Sequence, residues 1–358
     1  MFDYVDGAAE DEHTMQRNRS GFADYDLLPH CLVDVSTLNL ATTIQGTPSP
    51  LPLVLAPTGG TRLFHHEGER AASAAAAEAG LIFTLSSMST YDIETIGAHT
   101  AGTKWFQIYV WKDRGVVKEF IQRCKESGYK ALVLTVDVQT SGQRERDLRN
   151  GFTLPPRFTL SSLVDMGMHP WWWWNTLTKP PITLANVAGK TMGVNTATAM
   201  GQYAASQLDP TVSFDDLAWM IEQWDGPFLV KGVTRAADAR RIAELGASGV
   251  IISNHGGRQL DQSIATIDAL PGVVDAVDGR AEVLIDGGIR RGTDIIKALS
   301  LGAKACMIGR PFLYGLAAGG QAGVTRSIDI LGSELRRSMM LLGCSDVTQL
   351  NRDYLQRR

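Results

Sequence analysis

The sequence lacks the features that mark several large classes of protein. No run of about 18 apolar residues could span a bilayer, and the first residues lack the basic and apolar segments of a signal peptide. A net charge of −4 gives no basic surface for nucleic acid. The four cysteines show neither a CxxC pair nor metal-ligand spacing. We therefore expect a cytoplasmic globular protein with reduced thiols, no bound metal and no nucleic-acid partner.

What the sequence does contain is a repeated unit of helix, glycine and short apolar strand. It occurs around Gly80, Gly128, Gly246 and Gly302, where a glycine lets the chain turn sharply at a helix end. The strands are continuous apolar runs, typical of a parallel sheet covered on both faces. The predicted strands are 53–56, 82–85, 105–109, 131–135, 228–230, 249–252, 283–285 and 305–308. Eight strands alternating with helices predict an α/β fold, a closed (β/α)8 TIM barrel.

The alternative fold is an open, doubly wound sheet. That fold favours a GxGxxG turn after the first strand, and this chain has PTGGTR there. We therefore predict one barrel domain over residues 1–358. The interval between the fourth and fifth strands is far longer than the others, so residues 138–225 are predicted to form an excursion that acts as a lid. After it, Ser213 with Asp216 three residues later predicts a helix start.

Four consecutive tryptophans at 171–174 cannot all face one core. Tryptophan favours membrane interfaces, where its ring is buried and its N–H stays hydrated. A peripheral membrane contact of this segment is one hypothesis, and packing between subunits is the other.

Polar residues follow all eight predicted strands, at the barrel end where active sites lie. A lone Ser, Thr or Gln there serves a turn in most proteins. Eight polar strand ends that include a Lys, a His, an Asp and two Arg instead indicate an active site. These residues are Thr58, Ser86, Gln107, Tyr109, Thr135, Asp137, Arg144, Lys231, Ser253, Asn254, His255, Asp286, Gly287, Gly288, Gly309 and Arg310. The glycines after strands seven and eight, with Arg290 and Arg310, predict a phosphate site.

Two segments carry a family resemblance. SNHGGRQLD (253–261) and DGGIRRGTDIIKALSLGAKACMIGRPFLYGLAAGG (286–320) closely resemble the FMN-dependent L-2-hydroxy acid dehydrogenase/oxidase family. Its members include glycolate oxidase, lactate monooxygenase, L-lactate dehydrogenase and (S)-mandelate dehydrogenase. The resemblance extends over nearly the whole chain, from DYVDGAAEDEHT onward. It implies an FMN cofactor, oxidation of a small 2-hydroxy acid and a homotetramer.

The resemblance also implies how the substrate is bound. Arg258 and Arg144 bind the carboxylate, because a guanidinium pairs with it through two hydrogen bonds. Tyr4 adds a third hydrogen bond. Tyr109 holds the substrate hydroxyl as it becomes a carbonyl.

The same resemblance implies the catalytic and cofactor residues. His255 is the base, Asp286 orients its ring, and Lys231 lies by the N1–C2=O edge of the flavin. Further FMN partners are Pro57, Thr58, Gly59, Ser86, Gln107, Thr135, Ser253, Asp286, Gly287, Gly288, Arg290, Gly309 and Arg310.

Some positions differ between branches of the family. Gly59 stands where the oxidases tend to have alanine, which favours a dehydrogenase that passes electrons to a quinone or another carrier. An oxidase that makes hydrogen peroxide is the alternative. Met88 replaces a tryptophan of glycolate oxidase, so the pocket differs in shape. The segment 144–156 is most like the mandelate enzyme and HPWWWW most like the lactate enzymes, which leaves both substrates open. A barrel that binds FMN without catalysis is disfavoured, because His255, Arg258 and Lys231 are all present.

Overall fold

The computed structural model describes residues 2–150, 164, 167–170, 174, 178–187 and 206–358. Its centre is a closed barrel of eight parallel strands. In barrel order β4 pairs with β5, and each following strand pairs with the next until β11 closes on β4. The barrel strands are β4 (Leu53–Leu55), β5 (Ile82–Ser86), β6 (Lys104–Tyr109), β7 (Ala131–Thr135), β8 (Phe228–Val233), β9 (Gly249–Ile252), β10 (Glu282–Ile285) and β11 (Ala305–Ile308). The predicted (β/α)8 fold is confirmed.

Helices connect the strands and cover the outside of the barrel. The described helices are α1 (Phe2–Asp6), α2 (His13–Ser20), α3 (Gly68–Glu78), α4 (Ile93–His99), α5 (Arg114–Glu126), α6 (Glu145–Arg149), α7 (Phe214–Gln223), α8 (Ala236–Glu244), α9 (Thr266–Val277), α10 (Gly292–Ser300) and α11 (Arg310–Leu342). The glycines predicted to end helices all have positive φ, at Gly80, Gly128, Gly246 and Gly302. Each therefore makes the left-handed turn that returns the chain to the barrel.

The core has two layers. Inside the barrel, side chains such as Trp105, Leu229 and Met307 fill the interior. A larger layer packs between the outer strand faces and the helices, with Phe106, Phe120 and many aliphatic residues. Because both strand faces are buried, the strands carry no polar alternation, as the sequence indicates.

Two small antiparallel sheets lie outside the barrel. The hairpin of β2 (Thr42–Ile44) and β3 (Thr47–Ser49) places Ile44 within the barrel's interior core. Glu282, the first residue of β10, accepts hydrogen bonds from the hairpin residue Gln45, at 2.8 Å from its backbone N. The hairpin therefore closes the amino-terminal end of the barrel. The second sheet pairs β1 (Tyr25–Leu27) with β12 (Leu355–Arg357).

The longest interval between barrel strands lies between β7 and β8, as predicted. Its described parts include α6, a 3-10 turn at Ala185–Val187, and α7. Ser213 caps α7, and Asp216 completes the predicted capping box. The tryptophans at 171–173 lie outside the described residues, and Trp174 is exposed. Among the described helices, none is long and apolar enough to cross a membrane.

Candidate active site

A cavity of about 410 Å³ lies at the carboxyl end of the barrel strands, within the size range of small-ligand and cofactor sites. Polar and charged side chains from different strand ends converge on it, together with an apolar wall. The predicted site residues that line it are Tyr4, Pro57, Thr58, Gly59, Tyr109, Arg144, Lys231, His255, Arg258, Asp286, Gly287, Gly288, Arg290, Gly309 and Arg310. Ser86, Gln107, Thr135 and Ser253 lie just beneath, buried at their strand ends.

The predicted partner of His255 is wrong. His255 Nδ1 lies 3.1 Å from Asp137 Oδ1, so Asp137 and not Asp286 orients the imidazole. Burial on its own raises the pKa of Asp137, but the charge and hydrogen bond of His255 hold that pKa below its ordinary value. A carboxylate at Nδ1 leaves Nε2 as the nitrogen that can accept a proton.

Backbone geometry explains why His255 reaches Asp137. His255 has φ of +57°, which is uncommon for a residue with a side chain and is found mainly where local strain serves a site. In the neighbouring strand β8, the pairing register with β9 shifts between Lys231 and Val233. Gly232 lies there with φ of +102°, and a Cβ on it would lie 2.8 Å from Asp137 Cβ. The irregularity therefore needs glycine and makes room for the Asp137 side chain.

Asp286 pairs with Lys231 instead. Their Nζ and Oδ2 atoms are 2.7 Å apart, and both side chains are buried. Lys231 Nζ also donates to Ser253 Oγ at 2.7 Å. The backbone N–H of His255 donates to the same hydroxyl at 3.0 Å, so Ser253 links the lysine to the histidine turn.

Two arginines flank one aromatic ring at the mouth of the cavity. The guanidinium carbons of Arg258 and Arg144 lie 4.9 Å and 5.4 Å from the centre of the Tyr4 ring. Burial, followed by the charge of Arg144, lowers the pKa of Arg258. Two cations held this close, partly out of water, form a site that favours an anion with a planar, two-oxygen end.

Tyr109 lines the same cavity as these arginines and His255. Burial and the negative charge of Asp137 raise the pKa of its hydroxyl, which therefore keeps its proton. A neutral phenol can donate a hydrogen bond to a substrate oxygen.

The buried polar atoms beneath the cavity fit the ring system of FMN. Ser86 Oγ donates to Gln107 Oε1 at 2.9 Å, which leaves Gln107 Nε2 as a donor. Within the described part of the chain, Gln107 Nε2, Thr135 Oγ1 and Asp286 Oδ1 are buried without a hydrogen-bond partner. Buried polar atoms are rarely left unpaired, so these atoms call for a polar ligand. The alternating N–H and C=O groups of an isoalloxazine ring supply matching partners.

The loops after β10 and β11 fit the phosphate end. Gly287, Gly288 and Gly309 line the cavity, and Arg290 Nε is buried without a partner among the described residues. Arg310 is engaged differently from the prediction, because its guanidinium donates to the carbonyls of Val5, Gly7 and Gly256, each at 2.9 Å. Those bonds use three of its five N–H groups, which leaves two for a phosphate.

Sequence reasoning missed part of the site. Asp137 was noted only as a polar residue at a strand end, although its spacing from Thr135 places both on one face. Most of the apolar wall was missed as well: beside Met88, which the resemblance placed in the pocket, the cavity is lined by Leu63, Phe64, Leu208 and residues 182–184. No sequence pattern identifies the last of these, because they come from the long excursion. The described residues include no group of His, Cys, Asp and Glu suited to a metal ion.

Comparisons with known proteins identify the family to which the chain belongs. The family model described as FMN-dependent dehydrogenase matches residues 1–357. The chain is 45% identical to the L-lactate oxidase of Nostoc sp. over 363 residues, covering 99% of this chain and 93% of that protein. It is 41% identical to the L-lactate dehydrogenase of Caulobacter vibrioides, covering 100% and 94%. The crystal structure of the monotopic membrane protein (S)-mandelate dehydrogenase superimposes with a TM-score of 0.96 at 38% identity, covering 100% and 94%. This chain belongs to the FMN-dependent dehydrogenase family, and its cofactor is FMN.

Proposed function

We propose that the protein oxidises a small L-2-hydroxy acid to the 2-oxo acid and passes the electrons to a quinone or another carrier. The observation that carries the proposal is the meeting of two functions in one cavity. The paired arginines Arg144 and Arg258 offer a carboxylate site, and the His255–Asp137 pair offers a base. Only a substrate with an acidic end and an adjacent group that loses a proton uses both.

The residues have separate roles in this reaction. The carboxylate of the substrate binds between Arg258 and Arg144, with Tyr4 beside it. Tyr109 donates to the substrate oxygen, and His255 Nε2 accepts one proton while the Asp137 carboxylate stabilises the resulting imidazolium. The substrate loses two hydrogen nuclei and two electrons: one nucleus leaves as the proton that His255 takes, the other would pass with the electron pair to the cofactor, and the C–O single bond becomes a carbonyl.

FMN, when bound, supplies the acceptor for the two electrons. Gln107, Thr135 and Asp286 would hold its ring, and Arg290 with the glycine loops would hold its phosphate. Lys231 supplies a positive charge beside the ring site, balanced by Asp286. Asp286 and Ser253 take two of the three N–H groups of Lys231, so the third can donate to a ring atom on which negative charge develops.

The reaction is tested by product analysis. The FMN-loaded protein is incubated without oxygen with L-lactate, L-mandelate and longer aliphatic 2-hydroxy acids, each with a soluble quinone. We expect one 2-oxo acid for each quinone reduced, with at least one member of the panel. A loaded, folded protein that forms no 2-oxo acid from any of them contradicts the proposal.

The surroundings of Gly59 bear on the choice of electron acceptor. Gly59 is not among the glycines with positive φ, so backbone conformation does not require glycine there. A Cβ at Gly59 would lie 3.0 Å from Met88 Cβ and 3.2 Å from Met88 O. An alanine therefore displaces the Met88 segment of the cavity wall. The proposal of a dehydrogenase rests on the resemblance, because the family's oxidases tend to have alanine at this position.

Stopped-flow reoxidation tests the acceptor. The reduced protein should react slowly with air-saturated buffer and rapidly with a soluble quinone. Gly59→Ala should raise the rate with oxygen, whereas Gly272→Ala, whose Cβ would meet nothing within 4 Å, should not. Reoxidation of the unmodified protein by oxygen at the turnover rate would instead establish the oxidase alternative, which the 45% identity to an L-lactate oxidase keeps in view.

We also propose a peripheral membrane contact through the segment 165–190, on the inner face of the membrane. In and beside this segment, the side chains of Val164, Met168 and Trp174 are exposed. The (S)-mandelate dehydrogenase that superimposes on this chain is a monotopic membrane protein. A quinone dissolved in the bilayer would suit such a contact. The competing explanation is packing of this segment between subunits of a homotetramer.

Co-sedimentation with liposomes separates the two explanations. The full chain should pellet with vesicles that contain anionic lipid, and a variant without residues 165–190 should remain in the supernatant. Identical sedimentation of the two proteins contradicts the membrane contact. Loss of the tetramer in the deletion variant, measured by light scattering, supports subunit packing.

A further inference from the structure

Arg146 lies outside the cavity but joins two elements that line it. α1 carries Tyr4, and Arg144 is the residue directly before α6. Each helix has five residues, too few to be stable alone, so tertiary contacts must hold both in place. The relative position of Tyr4 and Arg144 therefore depends on what connects the two helices.

The guanidinium of Arg146, on α6, connects the two helices through charged side chains. Arg146 Nη1 lies 3.0 Å from Asp6 Oδ2, and Arg146 Nη2 contacts Glu12 Oε2. Asn150 adds a hydrogen bond from its Nδ2 to Asp3 Oδ2 at 2.9 Å. We call Arg146 with Asp6 and Glu12 the Arg146 bridge. Its side chains are only partly exposed, so solvent screens it less than a fully surface pair.

The other charged contacts hold α1, whereas the α6 segment has uncharged or single-charge hydrogen bonds, from Asn150 to Asp3 and from the Glu10 N–H to the Gln143 carbonyl at 2.8 Å. Arg258 donates to the carbonyls of Tyr4 and Gly7, at 2.6 Å and 3.0 Å, and Arg310 donates to Val5 and Gly7. These bonds fix α1 to the barrel loops. The side chain of Arg144 meets only Asp147 of its own helix as an ion-pair partner among the described residues. Without the Arg146 bridge, α6 loses its main charged attachment to α1.

We propose that Arg146 is a positioning residue that holds Arg144 against Tyr4 over the carboxylate end of the site. The inference rests on the proposed function, because Arg144 is the second guanidinium of the proposed carboxylate site. The Arg146 bridge sets the position of that guanidinium. The pKa of Asp6 agrees with an ion pair between Asp6 and Arg146. Burial raises the pKa of Asp6, but Tyr314 and Arg146 bring it below its ordinary value.

The test uses three variants: Arg146→Met, Glu12→Gln and the double variant that combines these two substitutions. Each is compared with the control variant Arg149→Met. Arg149 lies on the same helix and is largely exposed, and within the described ranges its ion-pair partner is Glu145, so it is a matched control. Glu12→Gln retains an oxygen for its bond from the Ala8 N–H and removes the charge. Arg146→Met should raise the KM for the hydroxy acid about tenfold, with a much smaller change in the limiting rate of flavin bleaching. The double variant should be no worse than Arg146→Met alone, because both remove the same bridge.

Two readouts do not depend on turnover. Oxalate, which has two carboxylates and no hydrogen to lose, is titrated against the flavin absorbance; its affinity should fall about tenfold in Arg146→Met and be unchanged in Arg149→Met. Hydrogen exchange of residues 143–150 should accelerate in Arg146→Met. Arg146→Lys should recover part of the oxalate affinity, since one ammonium retains the charge without the fork.

The outcomes separate the two claims. Failure of the unmodified protein to bleach with any hydroxy acid contradicts the proposed function, and exchange at residues 143–150 still tests the bridge. An unmodified protein that turns over normally, with equal KM, oxalate affinity and exchange in Arg146→Met, overturns the role of Arg146. Additive effects of Arg146→Met and Glu12→Gln overturn it as well.

Discussion

Two carboxylates lie at the carboxyl end of the barrel strands, and each faces a different cation. Asp137 contacts the imidazole of His255, and Asp286 contacts the ammonium of Lys231. The first pair borders on the position of the substrate, while the second is buried at the base of the cavity. Although the two residues are chemically alike, their substitutions should therefore have different consequences.

Asp137→Asn should lower the rate of flavin bleaching by about 10²-fold, because the amide cannot stabilise an imidazolium. His255→Gln should lower it by at least about the same factor. Both variants should retain FMN and near-normal stability. The rate is measured by anaerobic stopped-flow absorbance and the FMN content by the absorbance ratio of the purified protein.

Asp286→Asn should instead destabilise the protein, by about 3–5 kcal/mol, because it leaves the buried Lys231 without its counter-charge. Denaturant unfolding measures this loss. A stable Asp286→Asn protein with a slow base-dependent step, together with an unstable Asp137→Asn protein, would restore the original assignment of Asp286 to His255.

The sequence indicated which residues meet at the site but not how they pair. Asp286 directly follows β10, the immediate neighbour of β9, whereas Asp137 follows β7, two strands away. Adjacency along the barrel therefore favoured Asp286. The left-handed turn at His255 and the irregularity at Gly232 reverse that preference, and both are tertiary features that strand periodicity does not report.

At the scale of elements, α3 is fastened to the loop after β5 by a buried carboxyl group. Glu69 accepts from the Thr90 N–H at 2.8 Å, and its other oxygen lies 2.5 Å from Thr90 Oγ1. Thr90 lines the cavity two residues after Met88. Burial raises the pKa of Glu69, and the bonds from Thr90 only partly offset that rise.

The raised pKa of Glu69 predicts a pH dependence of stability. Above the ordinary value of 4.5, the folded protein holds a proton that the unfolded chain has released. The free energy of unfolding therefore falls as pH rises through the interval between these two pKa values, and then levels. Glu69→Gln removes this contribution, so its stability relative to the unmodified protein should increase with pH across that interval.

Denaturant unfolding at a series of pH values measures the effect. Glu78→Gln lies on the same helix at an exposed position and should show no such trend. Parallel pH profiles for Glu69→Gln and the unmodified protein would mean that the carboxyl is ionised in both states.

Element boundaries were largely predictable. Seven of the eight predicted strands begin and end within one residue of the observed bounds, and β7 and β9 match them at both ends, because glycines and polar residues border their apolar runs. The observed β8 extends to Val233, beyond the predicted end at residue 230. The prediction ended too early because Lys231 and Gly232 interrupt the apolar run. The attachments of α1 and α6 were not predictable, because five-residue helices held by tertiary charges leave no periodic pattern.

At the scale of the whole molecule, the barrel follows from repetition. Eight similar units, each with an apolar strand, require a closed parallel sheet to bury every strand on both faces. Closure brings the polar ends of all eight strands to one mouth, which is why a list of strand-end residues anticipated the cavity. The excursion between β7 and β8 has no such repeat, and its contribution to the cavity wall at residues 182–184 emerged only from the structure.

The central claim is that the site at the carboxyl end of the barrel removes two electrons from an L-2-hydroxy acid. Reduction of the flavin by the substrate, without any later acceptor, tests this claim most directly. The FMN-loaded protein is mixed without oxygen or any other acceptor with L-lactate, L-mandelate and their D enantiomers, and the flavin absorbance is followed. We predict that at least one L acid bleaches the flavin fully, that its D enantiomer does not, and that His255→Gln bleaches at least about 10²-fold more slowly. A protein that retains FMN and a bound carboxylate, yet stays fully yellow with every acid, would contradict the account.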